Sequence, residues 1–297
     1  MATITKSFKW PLPVAYGPEY ALDQGAETVM KSRPLAGMIQ AGEAGNVRLF
    51  KPKPATAEEL RSIHTKKYVD CVLDGTVGSL EFGPWSPEGV ASVLASTGGM
   101  RDAVKEALRV GRSGSLSSGL HHARRSHGCG FCTFNGLALA ALKGLEQVKK
   151  VGILDLDAHF GGGTAEILGK NKRVALADVS VSHFDHWDPL DDERHFVECV
   201  ERPGAYLETV LRSFVVLEGS ELLIYNAGMD THEKAGGLKG ITTAIIRKRE
   251  ALVVRWASER NIPVLFALAG GYEWGGLTLE GVARLHLETV RAFSAGG

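Results

Sequence analysis

Four cysteines in 297 residues are too few for a disulfide scaffold and make a reducing, cytoplasmic setting the default expectation. Charge of one sign is lacking too: Lys plus Arg and Asp plus Glu number 34 each, so the formal net charge is zero. Proteins that grip nucleic acid or anionic lipid draw on a basic excess, so neither partner is expected. No apolar run approaches the ~18 residues that span a bilayer. The opening MATITKSFKWPLPVAYGPEY has no uninterrupted apolar segment of the secretory kind. Repeats and low-complexity tracts are missing, which excludes solenoids and propellers. No Pro/Ser/Gly-rich linker divides the chain, so residues 1–297 read as a single domain. What is present is 44% apolar and 23% charged, the balance of an ordinary globular protein. The ten histidines and 36 glycines stand out, as material for a site where backbone approaches a ligand closely.

Helical and extended signals alternate. Thr56-Ala57-Glu58-Glu59 is a capping box that predicts a short helix through Leu60 and Ile63, and Thr65 can cap a second one carrying Tyr68, Val69 and Val72. Ser86-Pro87 opens a long helix from about Glu88 to Val110. Helical spacing recurs at Leu137, Ala138, Ala141 and Leu145, and again from Ile245 to Trp256. Between them lie continuous apolar runs, Val151 to Leu156, Val174 to Val179, Leu222 to Tyr225 and Val264 to Leu268. Such runs suit strands buried on both faces of a parallel sheet. The fold class expected is therefore α/β, a three-layer domain with a mostly parallel central sheet flanked by helices. Each run ends in polar or glycine-rich residues, where ligands bind in open α/β sheets.

Asp155, Asp157 and His159 in LDLDAH alternate along an extended segment and share one side. Two carboxylates in a low-dielectric place repel unless a cation compensates, and an adjacent imidazole suggests a borderline metal such as Zn²⁺. The run equally suits a strand end whose acids cap a helix. Asp230, in NAGMD, would add a third ligand and leave a fourth position open, as in catalytic zinc sites. Taken alone it also fits a turn. His121-His122, after a glycine-bearing turn, and Ala269-Gly270-Gly271-Tyr272, after an apolar run, offer imidazoles and a phenol. The basic runs Arg124-Arg125 and Arg247-Lys248-Arg249 read as solvated faces, and His232 as a surface turn.

Taken together, LHHARRSHGCGFCTFN, DLDAHFGGG, NAGMD and AGGY resemble the histone deacetylase family, with its bacterial acetylpolyamine amidohydrolase relatives. The resemblance extends upstream to KPKPATAEELRSIHTKKYVDCV and covers roughly residues 50 to 275. It implies an arginase-like α/β fold and one zinc held by Asp157, His159 and Asp230. It implies a tandem pair, His121 backed by Asp155 and His122 as the base, and Tyr272 as the catalytic tyrosine. Gly130, Phe131 and Gly271 would line the acyl-amine site. A potassium ion would sit at Asp155, Asp157, His159 and Ser182. The activity implied is hydrolysis of an N-acyl amide to a carboxylate and a free amine, the substrate being acetyl-lysine or a small N-acetylated amine or polyamine. Neutral charge favours neither a histone tail nor a polyamine.

The chain departs from the family pattern D-x-D-x-H-H-G-(D/N)-G. Phe160 replaces the second histidine, and Gly162 replaces the Asp or Asn that orients the second tandem histidine. His122 is therefore expected to lack its partner, which keeps open a zinc-binding protein of weak or no turnover. A binuclear manganese ureohydrolase would need an acid two residues after His159, where Gly161 stands. Cys129-Gly130-Phe131-Cys132 has redox spacing, but lies within the segment already matched through GFC.

Overall fold

The computed structural model describes residues 10–22, 26–191 and 193–295. Within them eight strands form one sheet: β1 Leu12–Ala15, β2 Val47–Phe50, β3 Arg112–Ser118, β4 Val151–Asp155, β5 Val174–Ser180, β6 His195–Cys199, β7 Leu222–Ala227 and β8 Val264–Leu268. Their order is β2-β1-β3-β8-β7-β4-β5-β6 and every neighbouring pair is parallel. The helices are α1 Ser32–Gln40, α2 Ala57–Arg61, α3 Lys66–Asp74, α4 Pro87–Val110, α5 Gly136–Leu145, α6 Gly162–Leu168, α7 Tyr206–Leu217, α8 Thr243–Glu259 and α9 Leu279–Ala295.

Alternation along the strands explains the three layers. Val151 and Ile153, Leu222 and Ile224, and Leu265 and Ala267 pack into one apolar cluster with α2 to α6. Leu154, Leu223, Tyr225, Val264 and Phe266 pack into the other, with α1, α7, α8 and α9. Both faces of the sheet are thus buried, which is why these strands read as continuous apolar runs. The predicted helix starts are present: Thr56 and Glu59 make the capping box, Thr65 accepts from Tyr68 N, and Ser86 accepts from Gly89 N ahead of Pro87. Among the described residues, no helix is long and apolar enough to cross a membrane.

The central strand β3, RSGSLSS, was not foreseen. Its polarity is absorbed locally: Ser113 Oγ donates to Ala103 O, and the Ser115 and Ser117 hydroxyls lie 2.8 Å apart. Gly114 admits the ring of Phe266, which a Cβ there would overlap. The β3–β8 register shifts between Ser115 and Ser118, an irregularity that re-aims the chain just before the tandem histidines.

A buried histidine ties the helical layer to that loop. His64 Nδ1 donates to Arg124 O (2.7 Å), while Nε2 accepts from Asn135 N (3.0 Å). The ring is therefore neutral, and burial lowers its pKa to about 4 despite the backbone carbonyls around it. A base whose folded pKa lies below its unfolded value near 6.5 gives stability that is complete above 6.5 and is lost as pH falls towards 4. The loss amounts to about 3 kcal/mol. Urea unfolding at pH 7 and pH 4.5 should show most of this fall, and His64→Gln should flatten it. An equal slope in the variant would refute the assignment.

Candidate active site

The polar residues converge at the carboxyl ends of β3, β4, β5, β7 and β8. Beyond β4, Leu156 N donates to Asn226 O (3.1 Å) and Ala158 N donates to Asp230 Oδ1 (2.9 Å), so the tips of β4 and β7 are tied together. Gly270 N, beyond β8, donates to Asp157 Oδ2 (2.7 Å). A Cβ at Gly270 would overlap the Asp230 carboxylate, so only glycine lets these three tips close. From below, the fully buried Arg249 guanidinium donates to Gly228 O (2.7 Å) and Leu156 O (3.3 Å), the backbone just before two of the acids, and pairs with Glu250 (2.6 Å). Arg249 is thus no part of a solvated basic face, correcting the sequence expectation. Facing Tyr206, Thr231 and Glu250, it occupies the one inward position of that run.

Asp157, His159 and Asp230 face one another. His159 Nδ1 lies 3.2 Å from Asp157 Oδ1 and 3.2 Å from Asp230 Oδ2. Burial alone would lower the His159 imidazole, but the two carboxylates overturn this and hold it at about 11. The acids divide: against burial, the His121 and His159 imidazoles hold Asp157 well below its usual range, while burial and the Asp157 charge push Asp230 up to about 6. Such a cradle calls for positive charge. Among the described residues Asp230 Oδ2 is a buried oxygen that accepts no well-aligned hydrogen bond, although His159 Nδ1 stands 3.2 Å away. Donors that grip a zinc ion tetrahedrally at about 2.0–2.1 Å stand about 3.3 Å apart, close to the spacing found. The residues therefore fit a divalent metal.

A second trio, His121, His122 and Asp157, also lies within ligand reach. It suits a metal less well. His121 Nδ1 donates to Asp155 Oδ2 (2.8 Å) and its Nε2 is 3.6 Å from Asp157 Oδ1; against burial, these carboxylates raise its pKa to about 10. The trio also offers one carboxylate, where the Asp157–His159–Asp230 cradle offers two. Asp155 is itself held by Asn226 Nδ2 (2.8 Å), and Gly161 leaves it room, since a Cβ there would sit 2.8 Å from its Oδ2.

His122 does not lack a partner. Its Nδ1 donates to Asp185 Oδ2 (2.8 Å), from the turn after β5. This corrects the expectation drawn from Gly162. Burial and then the His121 charge lower the His122 imidazole, against the pull of Asp185, so its Nε2 is left as an acceptor. Asp185 gave no signal in the sequence, because it joins the site from a separate strand tip.

Tyr272 shares a cavity with His121, His122, Asp157, Gly130 and Phe131. Burial and the nearby Asp230 and Asp157 charges raise its phenol far above the ordinary value, so it keeps its proton. Phe131 stands 6.3 Å from the Tyr272 ring at the mouth, 40% exposed. Phe184, unforeseen, lies edge-on to His122 and His159 at 5.1 and 5.6 Å. Gly270, not Gly271, lines the cavity; Gly271 at φ +147° turns towards Val282, His286 and Met229. Ser182 is also placed differently: its Oγ accepts from Phe184 N, whereas the fully buried hydroxyl at this strand end is Ser180, beside the carbonyls of Ala158 and Ser182. His232 is buried, its Nε2 3.1 Å from Thr243 Oγ1, and is no surface turn. Lys31 is buried as well, donating to Thr28 Oγ1 (2.8 Å) and to Ala269 O. Burial lowers it to about 8 against the attraction of Asp230 and Asp157. All four cysteines are free, and Cys129 and Cys132 bond to each other only through backbone.

Fold and site define a parallel α/β protein with an acid–imidazole cradle at its strand tips and a tandem histidine pair beside it. A histone deacetylase domain is matched over residues 27–188, more than half of the chain, and the chain belongs to the histone deacetylase family of deacetylase-type hydrolases. An uncharacterized protein of Picosynechococcus is 29% identical over 88% of this chain and 92% of its own. Histone deacetylase 2 of Arabidopsis thaliana is 30% identical over 67% of this chain and 53% of its own length. A probable deacetylase of Methanothermobacter thermautotrophicus is 30% identical over 59% of this chain, and the match spans 54% of that relative. The crystal structure of the HDA15 HD domain shares the fold, with a TM-score of 0.76 at 20% identity over 96% of this chain and 89% of that one.

Proposed function

We propose that this protein is a zinc-dependent amidohydrolase that cleaves an N-acyl amine, most simply an acetyl amide, to a carboxylate and a free amine. The observation that carries the reading is the Asp157–His159–Asp230 cradle, whose Asp157 lines a cavity that also presents His122 and Tyr272. Its substrate class is acetyl-lysine or a small N-acetylated amine.

A divalent ion in the cradle supplies Lewis acidity, polarising an amide carbonyl and making water a stronger nucleophile near neutral pH. The other steps belong to the chain. His122, neutral and with Nε2 bare, takes the proton of the attacking water and returns it to the departing amine. His121, held by Asp155, stays cationic and adds positive charge beside the anionic transition state. The Tyr272 hydroxyl donates to the developing oxyanion. Phe131 and Phe184 flank the entrance with apolar surface that suits an alkyl chain. Gly161 leaves no acid to bridge a second metal, which weighs against a ureohydrolase, and Asp185 removes the chief ground for an inactive binder.

The test is a panel of acetyl-lysine peptides, acetylpolyamines and small N-acetylated amines, run on protein whose metal content is measured. About one zinc per chain and turnover of at least one class are expected, with loss on chelation and recovery on zinc addition. Two manganese ions, or no turnover with zinc bound, would overturn the reading.

A further inference from the structure

The carboxylate bonded to the second tandem histidine comes from the turn after β5, not from the cradle segment. Gly162 opens α6, and a Cβ there would overlap Asp185 Oδ1 and stand 2.6 Å from the Asp185 carbonyl and 2.8 Å from its Cγ. The space a side chain at 162 would fill is occupied by the Asp185 carboxylate, itself only 3% exposed. The turn carrying Asp185 is docked on the cradle segment by Phe160 N to Phe184 O (3.0 Å) and Val181 N to Ala158 O (3.0 Å). Asp185 takes φ +58°, a left-handed conformation that aspartate tolerates better than most residues. Its two oxygens are both committed: Oδ2 to His122 Nδ1 at 2.8 Å, Oδ1 to the Arg124 guanidinium. Arg124 is also held by Glu166 (3.1 Å).

We propose that Asp185 is the positioning residue for His122, delivered from the β5 turn, and that Gly162 stays bare to admit it. The pair is a relocated form of a single orienting acid on α6. Arg124 makes the arrangement specific for a carboxylate. Guanidinium only donates, so an asparagine at 185 would turn its amide oxygen to Arg124 and its NH₂ to His122. That forces the proton from Nδ1 to Nε2, the wrong tautomer for a base facing the cavity.

The inference rests on the hydrolase reading for its role in turnover, but the tautomer is measurable without it. Asp185→Asn and Gly162→Ala, the latter displacing Asp185 without touching His122, are compared with wild type by kcat, KM, zinc content, thermal melting and ¹⁵N-histidine NMR. Asp185→Asn should lose up to about 10⁴-fold in kcat, as when the carboxylate behind a general-base histidine is changed to its amide, and Gly162→Ala should fall in the same direction. KM and zinc content should stay within about twofold, and the Nδ1–H signal of His122 should be replaced by Nε2–H in Asp185→Asn. A wild type inactive on every acyl amide would sink the hydrolase reading while the NMR still decides the tautomer. Unchanged kcat with an unchanged Nδ1–H signal in both variants would overturn the proposal.

Discussion

Asp230→Asn should leave a folded protein without its metal and reduce amide hydrolysis to background, a loss of at least about 10⁴-fold given what metal-assisted hydrolysis contributes. The substitution is isosteric. It keeps Oδ1 as the acceptor for Ala158 N, but puts NH₂ where Oδ2 now faces His159 Nδ1. Stability should move in opposite directions with and without metal. In metal-free protein the buried Asp230 is raised to about 6, so the folded state holds the extra proton and loses stability as pH rises towards 6. Above that the deficit is complete, up to about 3 kcal/mol. Metal-free Asp230→Asn should thus melt higher than metal-free wild type at pH 7.5. Excess zinc should reverse the order, because only the wild type gains binding free energy. Calorimetry of the four samples reads this directly, and a variant that still binds zinc stoichiometrically would exclude Asp230 as a ligand.

Tyr272→Phe should lower kcat by 10²- to 10³-fold, about 3–4 kcal/mol, as for other single oxyanion donors. KM and zinc content should hardly change. The reason is positional: the hydroxyl shares the cavity with Asp157 and His122, keeps its proton in every accessible pH range, and has little to offer the ground-state amide. The ring should stay in place, since Tyr272 N bonds to Ala235 O (3.2 Å) and the ring packs beside Gly236. A fall in kcat together with lost zinc would instead assign the tyrosine to the metal cradle.

The elements that could be read early are those whose signal is local. Thr56 and Glu59, Thr65, and Ser86 with Pro87 cap helices through bonds spanning three residues. The runs at β4, β5, β7 and β8 are apolar because both their faces are covered. The motifs LDLDAH and NAGMD each close such a strand, so their convergence at the carboxyl ends was legible as well, whereas LHHARR follows β3. The weakly apolar β3 escaped notice because its serines bond to its own neighbours and to α4.

By itself, then, the chain determined its helix starts, its buried strands and the identity of the metal-cradle candidates, since each depends on residues near in sequence. Only the tertiary structure decided which glycine lines the cavity, that Arg249 lies inside rather than in solvent, and that His122 is held by Asp185. The last depends on a carboxylate 63 positions along the chain reaching the space that Gly162 leaves. Steric vacancy at one position and supply at another carry no local pattern, because the two meet only when strand tips pack side by side.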